Sequence, residues 1–186
     1  MAGVHPELVL AGECTAASLE PASYLFRELS GKLWCRLWQL SPQGLLRFTK
    51  FRMGGKLDLA LELASGESYT LRRERGWWKS RYLLLDQSLE PLWSLEPASF
   101  LGTSWTVTEA RTGGVAIGKV KNALILGPQQ AALSTVDRSA LATMAWRSYS
   151  FRLGTFAQVH LEIFRKGWEL PAVAFTVVRW LQLQNR

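Results

Sequence analysis

Apolar and polar residues alternate through the middle of the chain. In Lys56-Leu57-Asp58-Leu59-Ala60-Leu61-Glu62-Leu63 the leucines take every second position, with Lys, Asp and Glu between them. That period of two predicts a strand with one buried face. Ala157–Phe164 repeats the pattern, with Ala157, Val159, Leu161 and Ile163 on one side. Shorter strand-like runs follow turn residues at Tyr69–Arg73, Arg81–Leu85, Trp105–Thr108, Val115–Val120, Leu124–Leu126 and Trp146–Leu153. Leu33–Leu40 and Leu45–Phe51 flank Ser41-Pro42-Gln43-Gly44 and predict a hairpin. Other turn signals are Gly54-Gly55, Ser65-Gly66, Asp86-Gln87-Ser88, Gly113-Gly114 and Gly127-Pro128. About ten short strands at this close spacing predict a barrel or a sandwich.

The last segment breaks the alternation. After Pro171, a residue suited to a helix start because its missing N–H costs nothing there, nearly every position to Leu183 is apolar. Thr176, Arg179 and Gln182 recur every third residue and leave one narrow polar stripe, which is expected to face water. The pattern predicts a mostly buried helix over 171–184. The alternative is a central strand, since its β-branched residues also suit a sheet.

The chain also echoes itself. Ser18-Leu19-Glu20-Pro21-Ala22-Ser23-Tyr24-Leu25 returns as Ser94-Leu95-Glu96-Pro97-Ala98-Ser99-Phe100-Leu101, displaced by 94 − 18 = 76 residues. Two pseudo-repeated β halves sharing one core would account for it. So would chance, because Ser88-Leu89-Glu90-Pro91 makes the same unit again.

Composition narrows the class. The 186 residues have room for one domain. Apolar residues make up 48% and charged ones 20%, which suits a globular rather than a disordered chain. Two Cys and two His exclude a disulfide scaffold and most metal sites. Cys14 and Cys35 are expected to be reduced thiols. The net charge of +7 is unevenly spread: residues 1–31 hold four Glu against Arg27. The start lacks a basic signal region, and Glu13 spoils the lipoprotein-like approach to Cys14. A cytoplasmic location follows as the expectation.

One cluster could carry binding. Arg72, Arg73, Arg75, Lys79 and Arg81 bracket Trp77-Trp78. Indoles beside cations suit the headgroup level of an anionic membrane. They also suit single-stranded nucleic acid, and a plain solvated hairpin would contain the same residues. Arg72 and Arg73 must point to opposite strand faces. Of the nine Trp, Trp34, Trp38, Trp93, Trp105 and Trp146 sit at strand-like positions and are expected to fill the interior.

Catalytic signals are thin. Gly113–Val120 comes near a phosphate loop, but Val120 stands where Ser or Thr must hold magnesium, and the segment alternates as a strand. His160 and Glu162 could act as acid and base in an enzyme, or line a carrier's cavity, if they border a hollow interior. Asp137-Arg138 reads as a turn ion pair. Neither catalytic residues nor a metal or cofactor site is predicted.

Tyr69-Thr70-Leu71-Arg72-Arg73, Trp77–Asp86 and Leu92-Trp93-Ser94-Leu95 together resemble the repeating strand unit of the tubby C-terminal-like superfamily, which includes LURP-one-related proteins and phospholipid scramblases. Trp105-Thr106-Val107 resembles its next strand, and Leu170–Leu183 its C-terminal helix. The resemblance covers roughly residues 30–186 and is weakest over 121–145. It implies a mostly β, closed antiparallel barrel of about twelve strands around a buried helix, spanning 31–186 after an N-terminal segment of residues 1–30. It further implies a module that is not an enzyme, and it carries over no ligand-contacting residue. The basic and Trp-bearing cluster itself, Arg72, Arg73, Arg75, Trp77, Trp78, Lys79 and Arg81, is the expected rim for peripheral contact with an anionic membrane surface or another acidic partner.

Overall fold

The computed structural model describes residues 5–17, 23–40, 57–75, 80–99, 103–121, 129–151 and 154–184. Twelve strands form a closed antiparallel barrel in chain order: β1 (Leu8–Ala17), β2 (Ser23–Glu28), β3 (Leu33–Gln39), β4 (Leu57–Leu63), β5 (Ser68–Arg75), β6 (Ser80–Leu85), β7 (Pro91–Pro97), β8 (Ser104–Glu109), β9 (Val115–Lys121), β10 (Gln129–Thr135), β11 (Ala140–Phe151) and β12 (Gly154–Ile163). β1 closes the ring on β12 from Leu8 opposite Ile163 to Ala17 opposite Gly154. A single helix, α1 (Glu169–Gln184), follows β12.

Odd-numbered strands run away from the end where α1 begins, and even-numbered ones return to it. We call these the entry end and the far end. Entry-end connections are tight turns. In one of them the Asp86 carboxylate accepts from the amides of Ser88 and Glu90, at 2.9 and 3.0 Å.

α1 occupies the barrel interior. Every residue from Pro171 to Leu181 is buried. The helix contributes Ala172, Val173, Phe175, Val177, Val178 and Leu181 to the same core as Leu10, Leu59, Leu71, Leu95, Leu133 and Leu161 from the wall. It starts two residues before the expected Pro171, which still lies in the first turn and sacrifices no hydrogen bond. The polar stripe is not wet, contrary to expectation: Thr176 is 2% exposed and Arg179 fully buried. A closed ring leaves an enclosed helix no solvent face. The Thr176 hydroxyl is accommodated by donating back to the Ala172 carbonyl at 2.8 Å.

Two features fix how α1 seats. The Phe175 ring meets Trp105 edge-on at 5.7 Å between centroids. It also lies against Gly118 of β9, where a Cβ would fall 2.9 Å from Phe175 Cζ. Any larger residue at 118 would occupy the space of that ring. At the entry end, Trp168 packs on Trp93 with centroids 4.8 Å apart, closing the interior where the chain turns inward.

Several expectations change. β1 and β2 are wall strands, so the barrel begins inside the segment expected to precede residue 31. β3 pairs with β2 and β4, not with 45–51, which lie outside the described residues together with Leu124–Leu126. Trp93, Trp105 and Trp146 are interior, but Trp38 stands on the outer face with the Arg36 guanidinium 5.0 Å from its ring, and Trp34 is half-buried. Of the echo, Ser94–Pro97 lies within β7, whereas residues 18–22 lie outside the described set.

Two consequences are measurable. Gly118→Val should cost about 2 kcal/mol through overpacking against Phe175, lowering Tm by roughly 4–8 °C; unchanged melting would show that the helix is not seated as described. Cys14 and Cys35 are both buried, and burial pushes both thiols up, Glu13 adding to the effect at Cys14. A thiol-specific disulfide reagent should leave native protein unlabelled and modify two thiols only after denaturation.

Candidate functional site

The alternation of β5 divides the basic cluster between two faces. Leu71 and Arg73 share the inward register, while Arg72 and Glu74 face outward. Arg72 is paired across the ladder with Asp58 of β4: its Nε donates to Oδ1 at 3.1 Å, and its Nη2 to Oδ2 at 3.4 Å. Arg81 stands between Glu74 and Glu96 in register and meets Glu96 at 3.0 Å. With Arg36 donating to Glu62 at 2.7 Å, these pairs form a belt of cross-strand ion pairs around the outer wall. Asp58, Arg72, Glu74, Arg81 and Glu96 together have two basic and three acidic groups, a net of −1. This stretch of wall is therefore not a cationic surface.

Arg73 is different. It lies in the inward register near the far end, opposite Tyr82, and its Nε donates to Ser80 Oγ at 2.9 Å. Arg75 ends β5 opposite Ser80. Trp77, Trp78 and Lys79 lie outside the described residues, in the sequence joining β5 to β6. The structure thus separates the four described candidates: Arg72 and Arg81 belong to the ion-paired wall, and Arg73 and Arg75 lie toward the far end of β5.

The pairing of His160 with Glu162 is real but faces the wrong way for the enzyme or carrier reading. His160 Nε2 lies 3.4 Å from Glu162 Oε1, and Thr143 Oγ1 donates to Glu162 Oε2 at 2.9 Å. Both side chains project outward, since the alternating Val159, Leu161 and Ile163 point into the core. The pair does not border the interior. Gly113–Val120 is likewise a glycine turn leading into β9, with no helix to receive a phosphate. Among the described residues no group of three His, Cys, Asp or Glu is placed to hold a metal ion.

Charge becomes informative once the topology is known. Antiparallel order sends alternate connections to the same end. In sequence, the segments that join β1 to β2, β3 to β4, β5 to β6 and β11 to β12, which start and finish at far-end strand termini and themselves lie almost wholly outside the described residues, contain Arg47, Lys50, Arg52, Lys56, Lys79 and Arg152 against Glu20 alone, six basic residues to one acidic. Those at the entry end hold five basic and four acidic residues. The far half of the wall holds, besides the ion-paired stretch of β4–β7 with its net of −1, Lys119 and Arg147, both exposed on the outer face and opposite neutral residues, Lys119 opposite Ser104 and Ala132 and Arg147 opposite Gln158. Period two shows that these two residues face outward, but which end of the barrel they share is set by the topology.

No known family, curated protein or solved structure matches the chain. Among the described residues no helix is long and apolar enough to cross a membrane. The wall is polar outside and apolar inside, the reverse of a lipid-spanning barrel.

The ion-paired wall should contribute little to stability. Arg81 and Glu96 are each about half exposed, so a double-mutant cycle to Ala is expected to give a coupling of about 0.2–1 kcal/mol. A larger coupling would mean that Arg81 is held by more than its wall partners.

Proposed function

We propose that this protein is a non-enzymatic binding module that docks on anionic phospholipid surfaces through the far end of its barrel. The observation that carries the reading is a charge asymmetry in sequence: six basic residues against one acid in the segments joining far-end strand termini, and near balance in those joining the other ends. A molecule with one cationic pole orients in the field of an anionic surface and presents that pole. Arg73, Arg75, Lys119 and Arg147 lie toward this pole, and Trp77, Trp78 and Lys79 belong in sequence to one of its connections. Indoles there would sit at the headgroup level while cations meet phosphates. Each basic residue near such a surface contributes about 1 kcal/mol, so a net of five gives on the order of 5 kcal/mol before salt screening. That suffices for reversible docking and falls short of permanent anchoring.

The twelve strands around an enclosed helix are also what the resemblance to the tubby C-terminal-like superfamily implies, and kinship with that superfamily is part of the proposal. A nucleic-acid partner would use the same pole, so the experiment includes it.

Cosedimentation with phosphatidylcholine vesicles should rise with added phosphatidylserine and fall roughly tenfold or more between low and high salt. Lys119→Glu with Arg147→Glu should weaken it, whereas Arg111→Glu with Arg138→Glu at the entry end should leave it unchanged. Binding indifferent to salt, or weakened equally by both pairs, would sink the reading. Tighter binding to a single-stranded oligonucleotide than to any vesicle would replace it.

A further inference from the structure

The barrel interior changes character toward the far end. Thr176 Oγ1 lies 3.4 Å from Met144 Sδ, which fixes the height of α1 against β11. Both elements run toward the far end from that contact. One turn further along α1 come Arg179 and Trp180, and the next inward residue of β11 is Trp146. Trp146 stands directly opposite Gln129 of β10 in the ladder. Register and helical period therefore gather Gln129, Trp146, Arg179 and Trp180 into one layer of the interior.

That layer is buried and incompletely satisfied. Gln129 is 8% exposed, Trp146 3% and Trp180 2%. The indole Nε1 atoms of Trp146 and Trp180 and the Oε1 of Gln129 have no hydrogen-bond partner. An orphaned buried polar group costs about 1–3 kcal/mol, and three in one layer call for a partner. An apolar side chain at these positions would carry no such cost. Arg179, fully buried and with interactions of its own, puts a guanidinium in the same layer.

The chemistry of the three atoms specifies their complement. Two N–H groups need acceptor oxygens, and one amide oxygen needs a hydroxyl proton. We propose that this layer is a binding site for a small oxyanion that keeps one hydroxyl, namely inorganic phosphate or the monoanionic form of a phosphate monoester, whose second pKa is about 6. Sulfate has the acceptor oxygens but no proton at neutral pH, so the Gln129 oxygen would oppose it. The basic pole at the same end raises the local concentration of such anions. This site lies inside the ring, so it stands or falls separately from docking of the outer pole on vesicles.

The test is proton–nitrogen correlation NMR of the nine indole N–H groups of the intact protein, titrated with inorganic phosphate, glycerol phosphate, or sulfate at matched ionic strength. Phosphate, and the monoester at about pH 6 where much of it still keeps its hydroxyl, should shift two indole resonances, the ones lost in Trp146→Phe and in Trp180→Phe, and should raise Tm. Sulfate should bind at least tenfold more weakly, and Gln129→Leu should abolish that preference. A response to phosphatidic acid vesicles without one to soluble phosphate would support the site and assign its phosphate to a lipid headgroup. Indole resonances unmoved by any of these ligands, with cross-peaks to a long-lived water, would mean an ordered water only and would overturn the proposal.

Discussion

A ring of twelve strands is too wide for its own inward side chains to fill. Small barrels of about eight strands close over their side chains alone, and wider ones must hold a cavity, a channel or a plug. Here the chain supplies the plug from its own C-terminal segment. The dependence runs both ways. α1 is apolar on nearly every side and would be insoluble as a surface helix, while the strands without it would enclose a void. Phe175 set against Gly118 and Trp105 is where this mutual fit is tightest.

That constraint explains what the sequence made legible. β4 and β12 alternate cleanly because one face of each touches the plug and the other touches water. α1 is recognisable from its near-continuous apolar run, since nothing in the interior demands a polar side. β1, β2 and β7 were harder to see. Gly12 of β1 is small because the Phe26 ring packs where its Cβ would be, and β7 carries Pro91 and Pro97 at its ends. Both features weaken a strand signal without weakening the strand. The misplaced partner of β3 has a similar origin: Ser41-Pro42-Gln43-Gly44 has turn chemistry, but the hydrogen-bonded neighbour is 57–63.

The candidate cluster shows the complementary limit. Sequence adjacency placed Arg72, Arg73 and Arg81 together, and period two correctly set Arg72 and Arg73 on opposite faces. It gave no warning of Asp58 and Glu96, which lie 14 and 15 residues away along the chain and directly alongside across the ladder. Cross-strand neighbours are set by register, and register is fixed only when the ring closes. The same holds for the poles. The excess of basic residues is evident from composition, yet its location depends on which connections share an end.

Directionality follows from these observations taken together. At the entry end Trp168 packs on Trp93, and α1 begins there with the buried Pro171 and Ala172, all apolar groups. At the far end the interior ends in indole N–H groups, a carboxamide and a guanidinium, and the sequence that joins the strand termini there is rich in basic residues. A polar solute approaching the entry end would meet hydrocarbon and a nearly neutral rim. Approaching the far end, it would meet opposite charge first and hydrogen-bond donors behind it. The helix that fills the barrel thus also divides it, with hydrocarbon packed at one end of the interior and polar atoms buried at the other.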